Sequence, residues 1–506
     1  MAKQSPRPVS RRYIWLVSFT SGMCVMALEM TASRVVSPHF GTSISVWANV
    51  IGLILVALSV GYWFGGKWAE RSPKLETLLK LLAAAAVLSA LIPFLARPLA
   101  EGFIDSLSSL NGVTLVRLGS FLLVALLFFA PILLLGVTSP FVIKLLSTDE
   151  RVGETSGRVF ALSTIGSIIG TFVPAFWLVP TIGTRATVML FAALLFAVVG
   201  FGLLGRRWGV LGLLPLGLTW WVSGLPIKSG EGQVAEVESA YQYVQVTEHA
   251  GVRSLRFDEG TMIQSQERAS TPFTDNYWDA LFVLPSLSPA PKPKVLILGF
   301  AVGTAARGMI ELRPEGALDV TGVELDPAVL DLGRRYFSVA RLEPRMRLVV
   351  EDARAFLERS REQYDFILLD CYANQRYIPT HLVTQEFFTL VREHLAPGGF
   401  LVANVNAPVG DSVLLRSFDR TLKSVFTEVE RLDVPHRWNR EIVAAAGPLD
   451  WAGTMDRLPP VLKPYWTQML NWRTAAEDET GLLLTDDRAP VELLVDAQTF
   501  AASAHK

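Results

Sequence analysis

Glu324, the pair Glu351 and Asp352, and Asp370 each close a short apolar run with strand character, at 318–323, 346–350 and 364–369. Parallel sheets of the doubly wound kind bind ligands at the carboxyl ends of their strands, so three acidic strand ends in succession point to one site. The run that precedes them, Lys294-Val-Leu-Ile-Leu298, ends in Gly299-Phe-Ala-Val-Gly303-Thr304 and passes into helical sequence. A glycine turn at a helix N-terminus lets backbone approach a nucleotide closely. Glu324 lies about 25 residues beyond Gly299, where dinucleotide-type folds place the acid that grips ribose hydroxyls. The chemistry implied is nucleoside binding with a carboxylate at hand.

These positions require an alternating series of strands and helices, expected over 286–506 as a doubly wound, Rossmann-like sheet of the S-adenosylmethionine-methyltransferase type. Before it, in the subdomain expected over 231–285, the sequence from Glu236 to Gln266 alternates in strand fashion, as in Tyr241–Thr247 and Ser254–Asp258, with Gly251 and Gly260 as turn residues. This alternation predicts a small antiparallel β subdomain. Ser286 to Lys294, rich in proline and serine, separates the two.

Residues 1–230 have a different character. The chain of 506 residues is 51% hydrophobic with mean hydropathy +0.36, more than a soluble core needs, and the surplus lies between Tyr13 and Lys228. Seven apolar runs, near 13–32, 46–65, 76–95, 118–137, 159–180, 186–204 and 208–226, can each cross about 30 Å of hydrocarbon. A multi-pass α-helical membrane bundle in a cell membrane, with the lipid bilayer as partner, is expected. If every run crosses, Lys3, Arg7, Arg11, Arg12, Lys67, Arg71, Lys74, Lys144, Arg151, Arg158, Arg206 and Arg207 share one side. Arg34, Arg97, Arg117, Arg185 and Lys228 lie on the other, which makes the N-terminus cytoplasmic. The side of the second half depends on whether 208–226, with Pro215 and several glycines, crosses or re-enters. Glu29 inside the first run invites a partner, with Arg34 the nearest candidate, and Gly61, Gly65, Gly66, Gly166 and Gly170 read as close helix packing.

A net charge of −1 and the absence of a basic tract speak against nucleic acid as a partner. Cys24 and Cys371, with six histidines lacking HxxxH or HExxH spacing, predict no metal site.

From about Tyr241 to Val405 the sequence resembles the spermidine synthase (polyamine aminopropyltransferase) family, and within it the members fused to a membrane bundle. The resemblance is carried by Tyr241-Gln242, Asp258 with Gly260 and Gln264, Tyr277-Trp-Asp279, the Gly299–Gly303 turn, Val323-Glu324-Leu-Asp326, Glu351-Asp352-Ala353, Tyr364–Asp370 and Leu395-Ala-Pro-Gly-Gly399. It implies that Asp370 is the catalytic carboxylate, that Glu324 binds ribose and Asp352 the adenine amine, and that Gln242 and Gln264 face the nucleoside and the acceptor. Tyr277, Asp279, Asp326, Ala353 and the two turn glycines complete the implied binding set. The implied reaction moves an aminopropyl group from decarboxylated S-adenosylmethionine to a polyamine or other small amine, releasing methylthioadenosine, with no further cofactor and no metal. Soluble relatives associate, so a homo-oligomer is expected, its number open.

Two departures bear on substrate. Val302 and Ala373 stand where the soluble enzymes carry aspartates, and the usual Tyr-His-Glu reads Tyr277-Trp278-Asp279. Methyl transfer from S-adenosylmethionine is therefore a second reading, and a non-catalytic nucleoside or polyamine sensor coupled to transport through the bundle a third. The segment Cys371–Leu382 reads either as a lid carrying Arg376, Tyr377 and His381 or as a surface loop. The acidic stretch Leu484–Glu492 either returns carboxylates to the site or is a solvated turn.

Overall fold

The computed structural model describes residues 10–147, 151–204, 217–218, 221–222, 224–228, 230–260, 262–373, 375–408, 412–477 and 480–504. The chain divides into two compact units, Met1–Ser229 and Gly230–Lys506.

The first unit is helical: α1 (Arg11–Phe40), α2 (Ile44–Arg71), α3 (Leu75–Ser106), α4 (Gly112–Gly136), α5 (Thr138–Leu146), α6 (Val152–Val173), a π-helical turn (Pro174–Leu178) and α7 (Val179–Leu204). Among the described residues they make five helical stretches long and apolar enough to cross a membrane. The fifth, Val152–Leu203, has 52 residues, far beyond the roughly 20 that one crossing needs. It turns back on itself at Gly183, where φ is 80° and ψ 165°. The expected runs 159–180 and 186–204 are its two arms, and most of 208–226 lies outside the described residues.

α1 is the central helix, its most apolar stretch two-thirds buried. Gly166 and Gly170 of α6 lie against the α1 carbonyls of Phe19 and Met23, and Gly61 of α2 against Leu133 of α4, so close that a Cβ would strike backbone. Such close approach lets van der Waals contact, the main attraction available between helices in lipid, act at short range. Gly65 packs likewise, but Gly66 faces open space, contrary to expectation. Glu29 is half-buried and lies five residues before Arg34 on α1. A separation of five residues turns two side chains about 140° apart on a helix, which keeps them from meeting.

These contacts also order the bundle end to end. Tyr13, near the start of α1, donates its hydroxyl to the Val198 carbonyl at 2.6 Å and touches Gly202. At the other end of α1, Lys228 Nζ donates to the Pro38 carbonyl at 3.0 Å. Arg185 donates there to the carbonyls of Leu225, Pro226 and Ile227. The chain therefore reaches Leu204 at the N-terminal end of α1 and Leu225 at its C-terminal end.

The second unit contains two sheets. β1 (Gln233–Glu238), β2 (Tyr243–His249), β3 (Val252–Phe257) and β4 (Ser265–Arg268) form an antiparallel sheet in sequential order. The larger sheet uses β5 (Lys294–Leu298), β6 (Asp319–Glu324), β7 (Met346–Val350), β8 (Tyr364–Leu369), β9 (Leu395–Asn406), β10 (Glu428–Asp433), β11 (Asn439–Ala445) and β12 (Arg473–Ala475). Its order is β12-β10-β11-β9-β8-β5-β6-β7. β9-β8-β5-β6-β7 are parallel; β11, β10 and β12 add an antiparallel edge. Strand order reverses between β5 and β8, the switch point at which such sheets bind ligands.

Candidate active site

The switch point brings the glycine turn against Asp370. β5 and β8 are neighbours, Leu298 opposite Leu369, and the Asp370 N–H donates to the Leu298 carbonyl at 2.9 Å. Gly299 has φ +86°, and a Cβ there would run into the Asp370 backbone, so this corner closes only around glycine. Gly303, at φ +79°, caps the helix Thr304–Glu311.

Asp370 is held from two sides. Its Oδ2 accepts from the Tyr277 hydroxyl at 3.0 Å and its Oδ1 from Asn404 Nδ2 at 2.7 Å. Burial pushes the carboxyl up to about 6, against the opposing pull of the Asn404 and Tyr277 hydrogen bonds. Burial, reinforced by the Asp370 charge, holds the Tyr277 phenol well above its ordinary range, so it remains a donor. The arrangement is that of a base placed to act near neutral pH.

Glu324 ends β6 and accepts from Ala301 N–H at 2.8 Å and Asp326 N–H at 3.0 Å. Burial raises it to about 7, although the backbone donors favour its charge. Asp326 caps the helix Pro327–Tyr336. Asp352 caps the helix that Ala353 opens, accepting from Arg354 and Ala355 N–H, while its Oδ2 meets His381 Nε2 at 2.9 Å. Burial acts to raise the Asp352 carboxyl, but these donors and His381 hold it below the usual range.

Several expected residues serve elsewhere. Asp279 is engaged locally: its oxygens accept from Thr274 N–H, Thr274 Oγ1 and Asp275 N–H, a turn that already satisfies the carboxylate. Gln242 is half-buried at the start of β2. Gln264 Nε2 donates to the Gln375 carbonyl at 3.4 Å and so contacts the segment after β8. Asp486 returns no charge to the site. It forms a two-pronged pair with Arg354 at 2.8 and 2.7 Å, and the Arg354 hydrogen bond draws its carboxyl down to about 2.

The described residues that follow Asp370 are tied down at several points. Gln375 Oε1 accepts from Met262 N–H at 2.6 Å, Tyr377 donates to Asp496 at 2.8 Å, and Tyr372 donates to the Asn404 carbonyl at 3.0 Å. A cavity of about 290 Å³, lined by Met262, Arg376, Asn406, Trp438, Val495 and Gln498 among others, opens beside them.

Two polar residues escaped the sequence reading, Asn404 and Glu441. Asn404 lies on β9 one place after Ala403, which pairs with Leu369, and Glu441 of β11 lies directly opposite Asn404. Asp370, Asn404 and Glu441 thus form one row across three strands. Glu441 is fully buried, and neither of its carboxylate oxygens has a hydrogen-bond partner. The only signal in the sequence is an acid inside the otherwise apolar run Glu441-Ile-Val-Ala-Ala-Ala.

A parallel sheet with a glycine turn, an acid after the second strand and a buried acid at the switch point is a Rossmann-like, methyltransferase-type sheet. Residues 275–437 match the model of the spermine/spermidine synthase domain. A polyamine aminopropyltransferase of Vibrio vulnificus is 32% identical over 289 residues, covering 53% of this chain and 94% of its own. A probable polyamine aminopropyl transferase of Bifidobacterium longum is 32% identical over 280 residues, 51% of this chain and 61% of its own. Among solved structures, the spermidine synthase of Thermotoga maritima aligns over 52% of this chain and 83% of its own, with 18% identity and a TM-score of 0.37. The chain belongs to the spermine/spermidine synthase family of polyamine aminopropyltransferases.

Proposed function

We propose that the second unit transfers an aminopropyl group from decarboxylated S-adenosylmethionine to an amine. The observation that carries this reading is Asp370, a raised carboxylate at the switch point, beside the Gly299 turn and steadied by Tyr277 and Asn404. An alkylamine arrives protonated and must lose a proton before it can attack. Asp370 takes that proton; the amine nitrogen then bonds to the carbon next to the sulfonium, the C–S bond breaks, and sulfur keeps the electron pair as methylthioadenosine leaves. The leaving group is already activated, so positioning and proton removal supply the catalysis. Glu324 would hold the ribose, and Asp352 with His381 the adenine edge. The test is a product assay on the purified full chain, with S-adenosylmethionine and its decarboxylated form offered separately with a panel of amines. Methylthioadenosine from the decarboxylated donor supports the reading. S-adenosylhomocysteine would instead support methyl transfer, a second reading favoured by Val302, which puts a buried apolar side chain in the glycine turn.

Because Asp370 must be ionised to accept a proton and burial sets it near 6, turnover at saturating amine is expected to fall as pH drops through about 6, tenfold per unit below it. A pH–rate profile flat from 5 to 8 would remove Asp370 as the base.

We infer further that the bundle crosses the membrane with its N-terminus cytoplasmic and that the first unit finishes at the opposite end of α1. Lys228 reaches Pro38 at the far end of α1, and the cations of that end, Arg34, Arg97, Arg117, Arg185 and Lys228, are fewer than those at the other. A topology reporter fused after Lys506 should report the face opposite to one fused at the N-terminus. Reports from the same face would overturn the inferred sidedness.

A further inference from the structure

We propose that Glu441 is the second carboxylate of the acceptor site, so that Asp370 and Glu441 together receive the protonated amine; this rests on the transfer reading above. Row geometry is the first ground. Leu369 pairs with Ala403 and Asn404 with Glu441, so Asp370 and Glu441 flank Asn404. Two strand spacings put their backbones about 10 Å apart. Side chains level with one another on adjacent strands share a face, and the two acids therefore approach each other across Asn404.

The second ground is that, among the described residues, neither Glu441 oxygen has a hydrogen-bond partner, Arg440 acting on its charge only at a distance. Asn404 Nδ2 is given to Asp370, and Asn404 Oδ1 accepts from Asn439 Nδ2 at 3.0 Å. The Tyr277 hydroxyl is given to Asp370 and the Tyr372 hydroxyl to the Asn404 carbonyl. Arg440, the adjacent cation, projects to the other face of β11, where its Nε meets Asp433 at 3.1 Å and its Nη1 the carbonyls of Arg437 and Asn439. Glu441 is left fully buried with both oxygens unpartnered. Buried carboxylates are ordinarily paired or hydrogen-bonded, so a missing cation is indicated.

The acceptor supplies that cation. Val302 and Ala373 offer no charge, so the pair Asp370 and Glu441 is what the site has for an ammonium. Asp370 takes one proton from the arriving amine. Burial and the Asp370 charge hold the Glu441 carboxyl well above the usual carboxylate range while it lacks a partner, and the cationic amine entering beside it is the positive charge that favours its ionised form. The cavity lined by Asn406, Trp438 and Arg376 adjoins this row, Asn406 standing two residues beyond Asn404 on the same face of β9, and the apolar part of the alkyl chain would lie there with the Arg376 guanidinium keeping the distal ammonium away from that wall. The substrate class is a cationic primary amine, with neutral nucleophiles of the same shape excluded.

The test compares wild type, Glu441→Gln and Glu441→Asp as purified full-length proteins, reading methylthioadenosine from decarboxylated S-adenosylmethionine with 1,4-diaminobutane and the panel amine the wild type uses best. Glu441→Gln should raise the amine KM at least tenfold and leave the donor KM within twofold, and Glu441→Asp should recover part of the loss. An amine KM within twofold of wild type in Glu441→Gln overturns the proposal. A measurement on wild type alone guards against a variant that does not fold. With methylthioadenosine bound, 1,4-diaminobutane should raise the Tm and its neutral counterpart 1,4-butanediol should not; equal shifts overturn the proposal. If wild type forms no methylthioadenosine with any amine, the transfer reading fails and this subsite falls with it. An unchanged KM in an active enzyme overturns the subsite alone.

Discussion

Replacing Asp370 by asparagine should cut turnover by a factor on the order of 10²–10⁴, the usual contribution of a positioned base, while nucleoside affinity stays within about threefold of wild type, because a neutral isostere leaves the pocket shape intact. Asparagine fits the existing bonds: its oxygen can face Asn404 Nδ2 and its amide the Tyr277 hydroxyl, the two groups now bound to Asp370. What is lost is the ability to take a proton at a pH near 6. Single-turnover formation of methylthioadenosine, paired with calorimetric titration of that nucleoside, separates the two effects. Full turnover in Asp370→Asn would exclude the proposed mechanism, and loss of nucleoside binding would mean that the substitution disturbs the glycine turn as well. The latter is a real alternative, since Asp370 backbone lies against Gly299.

Glu324→Ala should act the other way, on binding. The carboxylate is held by Ala301 and Asp326 N–H, which orients it at the end of β6 while leaving lone pairs for ribose hydroxyls. Hydrogen bonds to a charged group contribute about 1.5–3 kcal/mol each, so methylthioadenosine affinity is expected to fall roughly ten- to a hundredfold, with turnover at saturating donor much less affected. Titration calorimetry checks the first part and saturation kinetics the second. Unchanged affinity would place the nucleoside elsewhere than the β5–β6 edge. The two variants make a pair: one should lose rate and keep binding, the other the reverse.

Much of this was legible in residue order because it is encoded locally. Strand-like runs ending in an acid, a glycine turn before a helix and an acid about 25 residues later obey a general rule of parallel sheets, and β5, β6, β7 and β8 lie where those runs predict. The long apolar runs of the first half likewise announce themselves one by one. Where the reading went astray, neighbouring groups intervened. Asp279 looked available until the turn at Thr274 and Asp275 claimed both its oxygens. Of the two readings of the stretch Leu484–Glu492, the pairing of Asp486 with Arg354 fits the turn and not a replacement carboxylate. Glu29 and Arg34 were matched by charge and proximity along the chain, yet helical rotation keeps them apart.

Sequence by itself thus determined the two kinds of unit, the membrane-length helices, the parallel core and the identity of Asp370 and Glu324 as candidates, because hydropathy, periodicity and strand-end position are properties of a few consecutive residues. Only the tertiary structure decided which polar groups meet. Glu441 lies 71 residues beyond Asp370, inside an apolar strand with no local mark of function, and it comes level with Asn404 through the antiparallel register of β9 and β11. The end of the bundle at which the first unit finishes was settled in the same way, by contacts between Lys228 and Pro38 and between Tyr13 and Val198. Pairing and packing join residues that the chain keeps far apart, and local pattern carries no information about which partner a side chain will find.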